Sequence, residues 1–356
     1  MESIHAAKQD KHDYSGVVMH QSLSNSAAKF SAVAIMGLFS TFNAQACSSC
    51  GCTLSSDWEN LSFTSTSGIK LDIRYDYLNQ NQLRAGASAI SRTAGSQLSR
   101  NGEPLEVERY TKNNYLTLGF DYSINADWGV NIQALYIDRS HSTLGIASDG
   151  VTPGPDGEQY DSKTSSFGDV RVIGRYQGFT PQHNFGILFG AKLPTGSHTD
   201  TGTSTDPANP GQIPIDRGLQ PGSGTTNVIL GAFYADTLNK NWDYFVQGLF
   251  ETAANSKDQF RPGNGFNLNV GLRYLGFPDF TPQIQFNARQ VAHDTGANAD
   301  TVSTGGSLAY LSPGIVVPIN KQTSLYGFVQ IPIYQNVNGL QLAPRYTASV
   351  GARFAF

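Results

Sequence analysis

From residue 68 onward the sequence alternates apolar and polar side chains, and the pattern recurs in segments of roughly ten to thirteen residues. A period of two places successive side chains on opposite faces of an extended strand. Leu116, Leu118, Phe120, Tyr122 and Ile124 share one face of a segment whose other face carries Thr117, Gly119, Asp121 and Ser123. The chain ends the same way, with Tyr346, Ala348, Val350, Ala352, Phe354 and Phe356 set against Thr347, Ser349, Gly351, Arg353 and Ala355. No purely apolar run long enough for a membrane helix follows position 50, which leaves a soluble all-β protein or a membrane β-barrel.

The spacing of the segments chooses between them. Twelve strands are predicted, near 68–78, 112–123, 127–138, 167–179, 184–193, 225–236, 241–251, 264–276, 281–291, 305–319, 322–332 and 345–356. The links alternate: 79–111, 139–166, 194–224, 252–263, 292–304 and 333–344 are long, while those near 125 and at 180–183, 237–240, 277–280 and 320–321 are short. Short periplasmic turns and long extracellular loops are the habit of bacterial outer-membrane barrels, and a soluble sandwich has no reason to sort its loops in that order. Trp128, Tyr136, Trp242, Tyr244, Tyr274 and Tyr346 fall near strand limits, where amphipathic rings suit a lipid–water boundary. The expected fold is an all-β transmembrane antiparallel barrel of about twelve strands over 68–356.

The face opposite the apolar one is charged and amide-rich. Its lumen-lining candidates are Lys70, Asp72, Arg74, Asp76, Asp121, Arg171, Arg175, Lys192, Glu251, Arg273, Arg289 and Arg353, with Asp169 and Asp243 beside them. Signs are mixed, which suits a braced ladder better than a ring of one charge. Asn131, Gln133, Asn227, Gln247, Asn267, Asn269, Gln285, Asn287 and Gln330 extend the polar surface, and Leu135, Ile173, Ile229, Phe245, Leu249 and Phe328 interrupt it. Packing in a small barrel, a greasy route through a partly occluded lumen and an open aqueous pore all fit this mixture.

Residues 1–46 read as a leader and signal peptide: Lys29 precedes an apolar stretch that ends in Ala44-Gln45-Ala46, and Met19 offers an alternative start. Cleavage leaves Cys47, Cys50 and Cys52 at the head of a periplasmic segment or plug, 47–67, in an oxidising compartment. A local disulfide with one free thiol, metal capture, lipidation and cross-linking to a partner stay open for them. No cofactor is expected.

Other chemistry is poorly signalled. A formal net charge of -4 argues against nucleic-acid binding, and an aromatic content of 11% argues against disorder. Asp149, Asp156, Glu158 and Asp161 lack the spacing of a calcium loop. His141, His183, His198 and His293 form no compact metal pattern, and no GxSxG marks a hydrolase, so the chain reads as no enzyme.

The alternating C-terminus ending in Phe356 resembles the assembly signal of Gram-negative outer-membrane β-barrels. More narrowly, Cys47-Ser-Ser-Cys50-Gly-Cys52, Pro221-Gly-Ser-Gly-Thr225, Phe245-Val-Gln-Gly248, Tyr310-Leu-Ser-Pro-Gly314 and the stretch from Tyr326 to Gly339 are similar to a transporter-like family named for the MetA pathway of phenol degradation. The resemblance implies passive passage or capture of a small hydrophobic or aromatic solute in the cell outer membrane, against lipid and lipopolysaccharide. It transfers no ligand residue. The rival reading is a structural barrel that docks a periplasmic protein through its cysteine segment.

Overall fold

Alternation gives each strand two unlike faces, and antiparallel pairing carries those faces around a ring. The computed structural model describes residues 68–100, 103–104, 107–144, 159–204 and 210–356. The leader, the cysteine segment 47–67 and the carboxylates Asp149, Asp156 and Glu158 lie outside the described residues.

The wall is built from β1 (Gly68–Gly86), β2 (Val107–Ser123), β3 (Trp128–Leu144), β4 (Gln159–Phe167), β5 (Val170–Tyr176), β6 (Phe185–Leu193), β7 (Asn227–Asn239), β8 (Trp242–Ala253), β9 (Gly265–Tyr274), β10 (Thr281–Val291), β11 (Gly306–Pro318) and β12 (Thr323–Ala355). Sequential neighbours pair antiparallel, β5 continues the wall from β3, and β1 pairs with β12, so the sheet closes as an all-β antiparallel barrel of about a dozen strands. Closure joins the two ends of the described chain. Asp72 stands opposite Arg353, and Phe356 N donates to Ile69 O at 2.8 Å.

Two segments depart from simple strands. Continuing the register of β4 on β3 would set Arg171 against Ile132, but it stands against Gln133, a one-residue bulge at Gly168 and Asp169. β12 occupies two ring positions: Ser324 to Val337 pair with β11, Leu340 to Ala355 pair with β1, and Ala355 N donates to Gln322 O at 2.7 Å. The reversal falls at Gly339, whose φ of +47° and whose approach to Ser303 leave no room for a side chain.

That reversal overturns the long loop expected over 333–344. Expected loops 79–111 and 139–166 also shrink, because β1 runs to Gly86, β2 starts at Val107, β3 runs to Leu144 and β4 starts at Gln159. In these extensions residues such as Asn81 and Lys112 are exposed, so the apolar half of the alternation stops while the hydrogen-bonded ladder continues.

Burial is inverted relative to a water-soluble fold. Ile69, Leu71, Ile73 and Tyr75 are 37–43% exposed, as are Leu116, Leu118, Phe120 and Tyr122 within a few per cent, whereas Asn113, Gln247, Gln285, Asn287, Ser312 and Gln330 are at most 1% exposed. In water each large apolar side chain left outside forfeits about 1.5–3 kcal/mol. The buried amides satisfy one another: Asn287 donates to Asn269 and Gln285, and its Oδ1 accepts from Ser312 and Gln330. Asn287→Ala strands several of these partners, at about 1–3 kcal/mol for each group left unsatisfied. It is expected to lower the midpoint of unfolding in detergent measurably, while the exposed Asn336→Ala shifts stability by less than about 0.5 kcal/mol.

Candidate functional site in the barrel interior

The links 124–127, 177–184, 240–241, 275–280 and 319–322 are short and gather at one end of the barrel; 87–106, 145–158, 194–226, 254–264 and 292–305 gather at the other. Inward side chains near the short-link end fill the interior. Three ion pairs sit there: Asp72 with Arg353 at 3.0 Å, Asp121 with Arg175 at 3.4 Å, and Asp243 with Arg273 at 2.5 Å. Lys70 stands opposite Asp121 in the β1–β2 register. Ile173, Leu188, Ile229, Phe233 and Phe245 form an inner apolar cluster, and Tyr326 with Phe328 forms a second near Arg353.

Farther from that end lies a cavity of about 380 Å³, lined by side chains from nearly every wall strand and from two of the long links. Of the twelve lining candidates, Arg74, Asp76, Arg171, Lys192, Glu251 and Arg289 meet in it. Lys70, Asp72, Asp121, Arg175, Arg273 and Arg353 do not line it and belong to the layer nearer the short links. Arg74 pairs with Asp76 at 2.9 Å, Arg171 with Glu251 at 2.5 Å, Lys192 with Asp169 at 3.2 Å, and Arg289 donates to Asn267 at 2.9 Å. Leu135, Ile137, Ile173, Leu249, Phe260 and Val291 supply apolar lining between these groups.

The bulge explains one wall of the cavity. It turns the Asp169 carboxylate toward the link 194–226, where it accepts from Gly196 N at 3.1 Å and from Ser223 N and Oγ at 3.0 and 2.8 Å. Gly196 and Gly222 touch backbone to backbone, a contact that any side chain would block. The link therefore folds inward and brings Arg217, Gln220 and Ser223 to the cavity. Asp258, from the link 254–264, clamps this roof through Arg217 and His198, each at 3.3 Å, and the Arg217 guanidinium lies 5.0 Å from the Phe260 ring centroid. Partial burial pushes the Asp258 carboxyl up, but Lys257 and Arg217 beside it outweigh that and hold it below its ordinary range.

Arg139, Arg217 and Asp294 were missed because they fall in stretches expected to be loops. Arg139 had a signal, since it continues the inward parity of Leu135 and Ile137. Arg217 and Asp294 carry no such period. Asp161 is exposed, and no cluster of metal-ligating side chains occurs among the described residues. The four histidines are dispersed: His141 bonds Thr111, His183 Asp127, His198 Asp258 and His293 Asn338.

No family model and no curated protein matches the chain. In fold it is similar to the COG4313 outer membrane channel from Pseudomonas putida F1, with a TM-score of 0.58 at 13% identity over 82% of this chain and 96% of that one. It is more weakly similar to the toluene transporter TbuX of Ralstonia pickettii, with a TM-score of 0.43, 11% identity, and coverage of 83% and 91%. The β-domain of the Bordetella autotransporter BrkA gives 0.44, 11% identity, and coverage of 81% and 100%. The first likeness establishes the fold; the other two pair unlike proteins at low scores and decide nothing. None is the phenol-degradation family, so that narrower resemblance reduces to the outer-membrane barrel fold.

The inner ion pairs are open to a direct measurement. Asp243 is 2% exposed and Arg273 donates to both of its oxygens, so Asp243→Ala leaves a buried guanidinium without its counter-charge. A loss of about 3–5 kcal/mol is expected from such a single change. The double variant Asp243→Ala with Arg273→Met should recover a large part of it in an unfolding cycle.

Proposed function

We propose that the protein is an outer-membrane channel that passes small hydrophobic or aromatic solutes passively. The observation that carries this reading is the inverted barrel: an apolar exterior that water would penalise, around a polar cavity with apolar patches. Exposed aromatic side chains support the bilayer placement. Trp128, Tyr176, Phe179 and Phe185 make a chain of ring contacts at the short-link end, and Trp242, Tyr274, Phe277 and Phe280 make another. Tyr136 packs on Phe167 toward the opposite limit of the apolar band. From Trp128 to Tyr136 is about 26 Å along a strand at ~3.3 Å per residue, or about 20 Å across a bilayer at a tilt of ~40°, comparable to a barrel's apolar band of ~25 Å.

In this reading the wall counts twelve strands, the short links face the periplasm and the long ones the exterior. The fold neighbour is named an outer membrane channel, and the proposal extends that word to this chain. Solute enters under the roof formed by 194–226 and 254–264, then meets the cavity groups Arg74, Asp76, Arg171, Lys192, Glu251 and Arg289. The layer of Lys70, Asp72, Asp121, Arg175, Arg273 and Arg353 narrows the way out, with the leader removed on export and residues 47–67 serving as plug or tether.

Two measurements test the proposal. Leu118→Arg places a charge on the lipid face and is expected to cost about 2–4 kcal/mol near the bilayer midplane, read as loss of the heat-modifiable folded form in membranes. In planar bilayers the wild-type barrel should show discrete conductance, and Asp258→Ala, which unclamps the roof, should raise it. A folded, inserted barrel that conducts nothing with either sequence would favour the docking role instead.

A further inference from the structure

The charge accounting of the cavity is uneven. Its lining holds six cations, Arg74, Arg139, Arg171, Lys192, Arg217 and Arg289, against four carboxylates, Asp76, Asp169, Glu251 and Asp294. Three of the carboxylates are committed to Arg74, Lys192 and Arg171. Arg139 differs from the rest in kind. It is 5% exposed, and its acceptors are all neutral: Asn113 Oδ1 at 2.6 Å, the Leu219 carbonyl, and the Tyr115 hydroxyl at 3.1 Å. Among the described residues no carboxylate oxygen comes within ion-pair distance of it.

A guanidinium held this deep in neutral surroundings is poorly compensated, because neutral acceptors offset desolvation less well than an anion does. A wall strand and a roof link hold it: β3 carries the side chain, and Leu219 of the link 194–226 fixes one nitrogen. Ile137 and Leu135 stand on the same face of β3, and all three line the cavity with Phe260. A fixed cation beside an apolar wall is the arrangement that recognises an amphiphilic anion. A bare ion gains nothing from the wall, and a neutral hydrocarbon leaves the guanidinium without a counter-charge.

We infer that the cavity is a binding site for a small organic anion with an apolar body, such as an aryl or short alkyl carboxylate, whose carboxylate is recognised by Arg139. The inference rests on the channel reading for the route to the site and deepens it by naming the solute class. The cavity, at about 380 Å³, accommodates a single-ring carboxylate with water to spare.

Calorimetry on the purified full-length protein in lipid nanodiscs at pH 7.5 tests it with four probes: benzoate, benzyl alcohol, benzylamine and acetate. Benzoate is expected to bind at least tenfold more tightly than each of the others. Equal binding of benzyl alcohol overturns the anion site, equal binding of acetate overturns the need for an apolar body, and stronger binding of benzylamine overturns the sign of the charge. Arg139→Gln should weaken benzoate at least tenfold and Arg139→Lys restore part of it; a folded Arg139→Gln that binds benzoate within twofold of wild type overturns the assignment to Arg139. Should neither variant fold, the four wild-type affinities still decide. Bilayer recordings on the same preparation separate the two claims: conductance without probe discrimination removes the site and spares the channel, whereas benzoate binding without conductance removes the channel and spares the site.

Discussion

Backbone hydrogen bonding around a closed ring is the constraint from which the other features follow. An apolar exterior is tolerable only where no strand edge is left unpaired, since an orphaned N–H or C=O facing hydrocarbon costs several kcal/mol. The seam between β1 and β12 supplies that closure, with Ile69 and Phe356 exchanging hydrogen bonds at its end. The seam joins residues nearly 290 positions apart, so the wall cannot be completed until the last strand is in place. The terminal alternation through Val350, Ala352 and Phe354 thus has two duties: it presents apolar surface and it locks the ring.

Closure also dictates the interior. Each residue of inward parity is removed from lipid and must find partners among others of the same parity. The result is a sorted lumen. Near the short links, cations and carboxylates neutralise each other in pairs and share space with Phe233, Phe245 and Tyr326. In the β8 to β12 sector, amides connect in a ladder through Asn287. Such pairs contribute less to net stability than their distances suggest, because desolvation consumes most of the attraction. They mainly penalise wrong registers, since a one-residue slip would turn Asp243 or Asn287 toward the apolar exterior.

Legibility in the sequence followed the same division. Where lipid-facing and lumen-facing residues contrast, as in 116–124 and 346–356, period two announced strand, face and the inward charges together. Where a strand continues past the apolar band, the contrast vanishes although the ladder does not, so β1 beyond Tyr77 and β3 beyond Asp138 read as loop. The hairpin at Gly339 was read as a long loop for the same reason: Gln335, Asn336, Asn338 and Gln341 are polar on both faces. Roof residues were illegible for a different cause. Arg217 and Asp294 reach the cavity by long-range folding of links without any period, and nothing local in their sequence records it.

The bulge at Gly168 and Asp169 shows how these two kinds of structure are joined. A regular strand would keep Asp169 in the alternating sequence of inward and outward side chains; the inserted residue instead frees its carboxylate to collect Gly196, Ser223 and Lys192 at once. One irregularity in the wall thereby anchors a link of low periodicity inside a rigid cylinder. Because that link supplies Leu219 to Arg139 and Arg217 to the cavity, the chemistry of the interior depends on the anchor as much as on the strands. A barrel of the same strand order with a regular β4–β5 junction would keep its wall and lose this roof. What such a channel admits is therefore set by the links its wall holds, on a scaffold whose alternation need not change.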